Sequence, residues 1–175
     1  MSAKPETKPV TIIRMAFLCL DIAMGGLLLG LPSDVKAAAC GTVLSPVTVS
    51  TTGVAFGVYD AANPSPTTAN GTIRIECELG VDVLPNFIVH LSPGNAAGFW
   101  PRHMQSGNVK LTYNLFADAA HTIVWGDGTN GTERRTHDEL LPMGAANFTM
   151  YGVVPQGQFV VGGTYVDTIV VLVEY

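Results

Sequence analysis

The stretch YVDTIVVLVEY, residues 165–175, ends the chain and decides the fold class. It is rich in Val, Ile and Tyr, holds no Gly or Pro, and is long enough to cross a sheet. One alternate set of side chains is Tyr165, Asp167, Ile169, Val171, Val173 and Tyr175. The other is Val166, Thr168, Val170, Leu172 and Glu174. Both sets are largely apolar, which predicts a strand buried on both faces, as a central strand is. Such a strand needs a neighbour on each side, and no sequence follows this one. Either an earlier strand or another polypeptide takes that place, and the second case makes the chain a subunit of an assembly.

Upstream, the same period of two recurs. Val54, Phe56 and Val58 alternate with small residues, and Ile73, Ile75 and Cys77 alternate with Arg74 and Glu76. Phe87, Val89 and Leu91 follow, then Leu111, Tyr113 and Leu115, then residues 148–154. Clusters of Gly, Pro, Asn and Asp at 63–66, 92–95, 126–131 and 155–157 separate these runs. Beyond residue 40 no helical period is sustained, apart from a short turn expected around residues 117–121. Short strands at this spacing predict an antiparallel sandwich or barrel.

The beginning of the chain reads differently. Lys4, Lys8 and Arg14 precede an apolar run at 15–31, interrupted by Asp21, and Ala37, Ala38 and Ala39 follow. This order is that of a secretory signal peptide over residues 1–39, with cleavage expected within 37–40. A membrane anchor is the competing reading; the run is short for a span and Asp21 is costly in lipid. Acylation of Cys40 fits less well, because Ala37 stands where such signals carry a larger apolar residue. One domain, residues 40–175, remains after cleavage, with no segment expected to insert stably in a membrane.

The whole chain carries a formal charge of −5, and residues 40–175 carry five Lys and Arg against eleven Asp and Glu. That balance argues against nucleic acid and anionic membrane surfaces as partners. Of the three cysteines, Cys19 leaves with the signal, and Cys40 and Cys77 form an even pair in an exported chain. A disulfide is the default reading. It closes a loop that stabilises by about 3–4 kcal/mol on the chain-entropy account. No CxxC or nearby His supports a metal pair.

Several pieces carry a resemblance. They are GVAFGVYD (53–60), Cys77, LSPG (91–94), Arg102, Met104, LTYNLFADAAHTIVWGDGTNGT (111–132), YGVVPQGQ (151–158) and GGTYVDTIVVLVEY (162–175). In order and spacing they resemble the spore coat protein U domain family, which includes archaic chaperone–usher pilins. The resemblance implies an all-β, immunoglobulin-like antiparallel β-sandwich that is incomplete, lacking its last strand. It also implies a periplasmic chaperone and an outer-membrane usher as partners in transit to the cell surface. Neighbouring pilin-like subunits are the third kind of partner: a strand comes first from the chaperone and then from the next subunit. On that reading an apolar groove runs along the first and last strands. Ile169, Val171 and Val173 are its contacts from the last strand, with Tyr175 as a contact for the chaperone. Polymerising members carry a donor segment before the first cysteine. Cys40 lies at or next to the expected cleavage site, so the expectation is a tip or minor subunit.

Other motifs have weaker chemistry. The 127–133 loop offers oxygen ligands for calcium, but its spacing is not that of an EF-hand and Gly-Asp-Gly is equally a tight turn. Trp125 is expected to pack the sandwich. The histidines His90, His103, His121 and His137 read as scattered loop residues, and no GxSxG or HExxH accompanies them. Phe99, Trp100 and Met104 read as a loop folded over one end of the core, with an adhesive patch as the other reading. Asn70, Asn130 and Asn147 open glycosylation sequons that are incidental in a bacterium. The expected function is therefore a secreted, non-enzymatic structural subunit without cofactors, serving adhesion, biofilm or a coat. The alternative is a self-sufficient secreted binding module for a sugar or cell-surface ligand, with its terminal strand paired internally.

Overall fold

Alternating apolar side chains become strands wherever one face finds a second layer to bury against. The computed structural model describes residues 47–77, 87–137 and 145–174. Among these are eight strands: β1 Val47–Thr52, β2 Thr67–Cys77, β3 Phe87–Leu91, β4 Arg102–Ser106, β5 Val109–Phe116, β6 Arg135–His137, β7 Ala145–Val154 and β8 Val171–Glu174. They form a five-stranded sheet in the order β1-β2-β7-β5-β4 and a three-stranded sheet in the order β6-β3-β8. All the pairings are antiparallel. No helix occurs among the described residues, and 117–121 is a turn. The architecture is that of an immunoglobulin-like sandwich.

The core lies between the sheets. Ile73 and Ile75 from β2, Leu111, Tyr113 and Leu115 from β5, and Phe148 and Met150 from β7 face Phe87, Val89, Leu91 and Val173 from β3 and β8. The intervening Arg74 and Glu76 point to solvent and pair with each other at 2.7 Å. Trp125 is sealed among these side chains with its indole N–H donating to the Val89 carbonyl at 3.0 Å, as its sequence position predicted. In the β4–β5 hairpin, Ser106 faces Val109 across a two-residue loop whose Gly107 has φ +57°. Tight primed hairpin turns need such a residue.

Expected strands at Ile73–Cys77, Phe87–Leu91, Leu111–Leu115 and 148–154 are present, and two expectations are corrected. Residues 53–60, with alternating Val54, Phe56 and Val58, form no strand; the strand is β1, just upstream. The terminal stretch is not a central strand buried on both faces. Only Val171–Glu174 is a strand, at the edge of its sheet, with β3 as its one partner among the described residues. Val166, Val170 and Leu172 are exposed, while Tyr165, Asp167, Ile169, Val171 and Val173 turn inward. The physical reason is a crossing between sheets. Val166 exchanges two backbone bonds with Gln105 of β4, whereas the Val170 carbonyl accepts from Ser92 N, next to β3. The signal segment 1–39 and Cys40 lie outside the described residues, as does the Cys77 side chain; the Cys77 backbone pairs with Val47.

Two polar ties hold the loops to the core. Arg102 is fully buried without a salt bridge among the described residues. Its Nε and Nη2 donate to the Ser92 carbonyl at 3.1 and 2.9 Å, and Nη2 also donates to the Trp125 carbonyl at 2.8 Å. Its Nη1 donates to Asn114 Oδ1 at 2.9 Å, and the Phe99 ring lies 5.0 Å below the guanidinium. Burial lowers its pKa to about 10, so it stays charged at neutral pH. The second tie is Tyr113, whose hydroxyl donates to Asp167 Oδ2 at 2.7 Å. Asp167 Oδ1 accepts from Asn95 N at 2.8 Å and Thr168 N at 2.7 Å.

Both ties make measurable claims. Replacing Arg102 with Met takes the guanidinium donors from the Ser92 and Trp125 carbonyls and leaves Asn114 Oδ1 only the Leu115 amide, and should cost about 3 kcal/mol or more in urea unfolding. A loss below about 0.5 kcal/mol would show that the node is dispensable. Burial first, and then the Asp167 hydrogen bond and charge, push the Tyr113 hydroxyl well above its ordinary pKa. The raised value favours the neutral phenol in the fold. Its contribution is therefore complete below about pH 10 and declines as pH climbs further, because the unfolded chain releases that proton first. Tyr113→Phe should cost about 1 kcal/mol at neutral pH and flatten the alkaline fall in stability. An unchanged alkaline slope in that variant would contradict the assignment.

Candidate functional site

Two segments that lie outside the strand ladders flank a groove that the sandwich leaves open. One is 53–60, which follows β1; the other is 158–170, which leads into β8. Residues 53–59 and 158–165 make no backbone–backbone hydrogen bond with any described residue. Solvated strand edges of this kind are templates for pairing.

Local chemistry holds the first segment in place without a ladder. Val54 and Phe56 lie over Gly152 of β7, where a Cβ would stand 2.6 Å from Val54 and 2.7 Å from Phe56. Gly71 of β2 is equally tight, with Thr52 O at 2.6 Å from such a Cβ. Glycines at these positions let the segment approach the sheet face. Phe56 also packs edge-on against Tyr113, with ring centroids 5.9 Å apart. At its far end the Tyr59 hydroxyl donates to the Pro155 carbonyl at 2.8 Å and accepts from Gln158 N at 2.9 Å.

The second segment is turned away from β5 by Gln158. Its side-chain amide accepts from Thr112 N at 2.8 Å and donates to the Thr112 carbonyl at 2.9 Å, taking the place of a strand neighbour. From there the backbone passes along the groove to Asp167.

Between the segments lie two connected hollows. The smaller, about 280 Å³, has Met104, Tyr113, Leu115 and Met150 as its floor and Val54, Phe56, Ile169 and Val171 in its walls. The larger, about 770 Å³, continues past Leu111 and Val154 between residues 54–61 and 158–165. Val54, Phe56, Met104 and Tyr165 line both. Beside it Val58 and Phe159 are 95% and 86% exposed, an apolar edge that the described residues leave uncovered.

Of the contacts expected from the last strand, Ile169 and Val171 line the smaller hollow. Val173 lies deeper in the core opposite Val89, and Tyr175 lies outside the described residues. Sequence reasoning missed Asp167 and Tyr113 as groove residues, and Gly71 and Gly152 as the positions that let the first wall approach the sheet. One signal was available: Asp167 is the one acid in the inward-facing set of the terminal stretch.

The other motifs resolve locally. Asp127 Oδ1 accepts from both Thr129 N and Thr129 Oγ1, and Asn130 and Gly131 both have positive φ, so the loop is a tight turn. Among the described residues no three His, Cys, Asp or Glu side chains are placed to share a metal ion. His90, His103 and His137 lie on strands, not in loops, and His90 Nε2 is 3.4 Å from Glu174. Phe99 is buried under Arg102 and Met104 lies on β4, while Trp100 is left 59% exposed.

Comparison with known proteins agrees with this architecture. The Spore Coat Protein U domain matches residues 33–172. Protein U of Myxococcus xanthus is 30% identical over 129 residues, covering 69% of this chain and 70% of that protein. Among solved structures, a chain in the crystal structure of the CsuC-CsuE chaperone-tip adhesion subunit pre-assembly complex, from archaic chaperone-usher Csu pili of Acinetobacter baumannii, superimposes with a TM-score of 0.54. It is 25% identical and covers 77% of this chain, which spans 40% of the length of that matched chain. With the family's domain matched over most of its length, the chain belongs to the spore coat protein U domain family.

Proposed function

We propose that this protein is a structural, non-catalytic subunit of a chaperone–usher surface fibre or coat, and that its groove accepts a strand from a partner polypeptide. The observation that carries the reading is the groove itself: two facing segments without ladder partners among the described residues, over a floor of Met104, Tyr113, Leu115 and Met150. An inserted strand gains main-chain bonds from the walls and buries alternate side chains on the floor. Kinship with an archaic chaperone–usher assembly supports a periplasmic chaperone as first donor, with an outer-membrane usher and neighbouring subunits next. Export by the 1–39 signal and a Cys40–Cys77 disulfide belong to the same reading, since the periplasm oxidises thiols. So do surface attachment and a tip or minor position. Among the described residues no helix is long and apolar enough to cross a membrane.

Material sheared from the surface of the native host and run unboiled and boiled on SDS gels tests this. A heat-sensitive ladder is the expected result, because strand-exchanged edges are fully paired and dry. A single heat-sensitive step would place the subunit at a terminus. A lone monomer in the medium, heated or not, would instead favour the self-sufficient binding module. Val171→Asp puts a carboxylate in the groove wall and should abolish accumulation of the subunit. Val170→Asp, on the exposed face and outside the lining of both hollows, should leave accumulation unchanged. Equal accumulation of the two variants would refute the groove assignment.

A further inference from the structure

An apolar groove with no occupant should close on itself, since its walls gain by burying each other. Among the described residues these walls stand apart, and Asp167 ties one of them to the floor through Tyr113 and to the loop after β3 through Asn95. We propose that Asp167, held by Tyr113 and Asn95, is a strut that keeps the empty groove open for strand uptake. This rests on the acceptor reading given above, and it assigns Asp167 a positioning role and not a contact role.

Three features of the geometry carry it. First, Asp167 lies in the wall of the smaller hollow and meets both layers. Tyr113 reaches it from the floor, in the five-stranded sheet, and Asn95 N reaches it from the loop that follows β3. Second, the fit is close. A Cβ on Gly94, which has φ +69°, would lie 2.3 Å from Asp167 Oδ2, so this loop position leaves room for the carboxylate. Third, little else holds the wall. Between its bridge to Gln105 at Val166 and its bonds to Ser92 at Val170, the segment has no backbone–backbone bond to a described residue. Asp167 sits in that gap, and Thr168 N closes back on its Oδ1. The side chain thus fixes which way Tyr165 and Ile169 face, before any partner arrives.

A preformed site speeds capture, because only the fraction of molecules with an open groove can bind. The full-length protein should therefore be immobilised and exposed to an extended peptide of alternating valine and threonine, flanked by lysines for solubility. Asp167→Ala should slow association about tenfold while the dissociation rate stays within about twofold. Tyr113→Phe, which keeps the ring, should slow it by a smaller factor. Asp167→Asn should recover most of the rate, since its amide can still accept from Asn95 N and donate to the Tyr113 hydroxyl.

Hydrogen exchange on the peptide-free protein separates the strut from general support of the fold. Amides of residues 165–170 should exchange faster in Asp167→Ala by a clearly larger factor than those of β2 and β7, which rise only by the small factor that loss of one tie costs the fold. Unchanged association, a loss that lies wholly in dissociation, or exchange that rises by the same factor in residues 165–170 as in both sheets would each overturn the strut. If wild-type protein captures no peptide, the acceptor reading falls and the strut falls with it.

Discussion

The Arg102 guanidinium is the interaction on which the rest of this sandwich depends. It is sealed from solvent, and its donors end on the carbonyls of Ser92 and Trp125 and on the Asn114 amide oxygen. Those acceptors belong to three separate stretches of chain. A buried charge is tolerated only when its hydrogen-bonding capacity is met. The arrangement therefore holds together or fails together. Arg102 fixes the loop after β3, and that loop presents Gly94 and Asn95 to Asp167. The charge at the centre of the core thus sets the position of the groove wall at its edge.

From that point outward the structure divides into paired and unpaired backbone. The five-stranded sheet is fully laddered through β2 and β7, whose ten-residue register runs from Thr67–Val154 to Glu76–Ala145. The three-stranded sheet stops at β8. Residues 53–59 and 158–165 carry apolar side chains against the groove and make no backbone–backbone bond with a described residue. Cross-strand hydrogen bonds contribute modestly one by one, but an exposed edge with apolar side chains beside it has a strong tendency to recruit a partner. For an assembly subunit that tendency is the function. The chain is held by side-chain substitutes for a ladder, such as Gln158 on Thr112 and Tyr59 on Pro155, and these leave the inner edge of the groove free.

Much of this was legible in the sequence. Ile73 and Ile75, Phe87 to Leu91, Leu111 to Leu115 and the run from residue 148 all fell on strands with the expected inward faces. The buried Trp125 and the turn at Asp127 were legible too. The errors share one cause. Val54, Phe56 and Val58 alternate as a strand does, and residues 165–175 look apolar on both faces, yet neither pattern says whether a hydrogen-bonding neighbour exists. The outward Val166, Val170 and Leu172 are apolar and exposed. Their composition alone looked like burial.

The sequence by itself determined the all-β class, the inward sets of the paired strands and the placement of the turns. Each of these follows from a local rule, the period of two along a strand or the backbone freedom of Gly, Asn and Asp. Only the tertiary structure decided which segments lack ladder partners among the described residues, that Arg102 is buried and that Asp167 meets both Tyr113 and the loop after β3. Those outcomes depend on contacts such as Tyr113 with Asp167 and Gly152 with Phe56. The paired residues are far apart along the chain, so no window of sequence contains both members, and the chain has to fold before either one meets its neighbour.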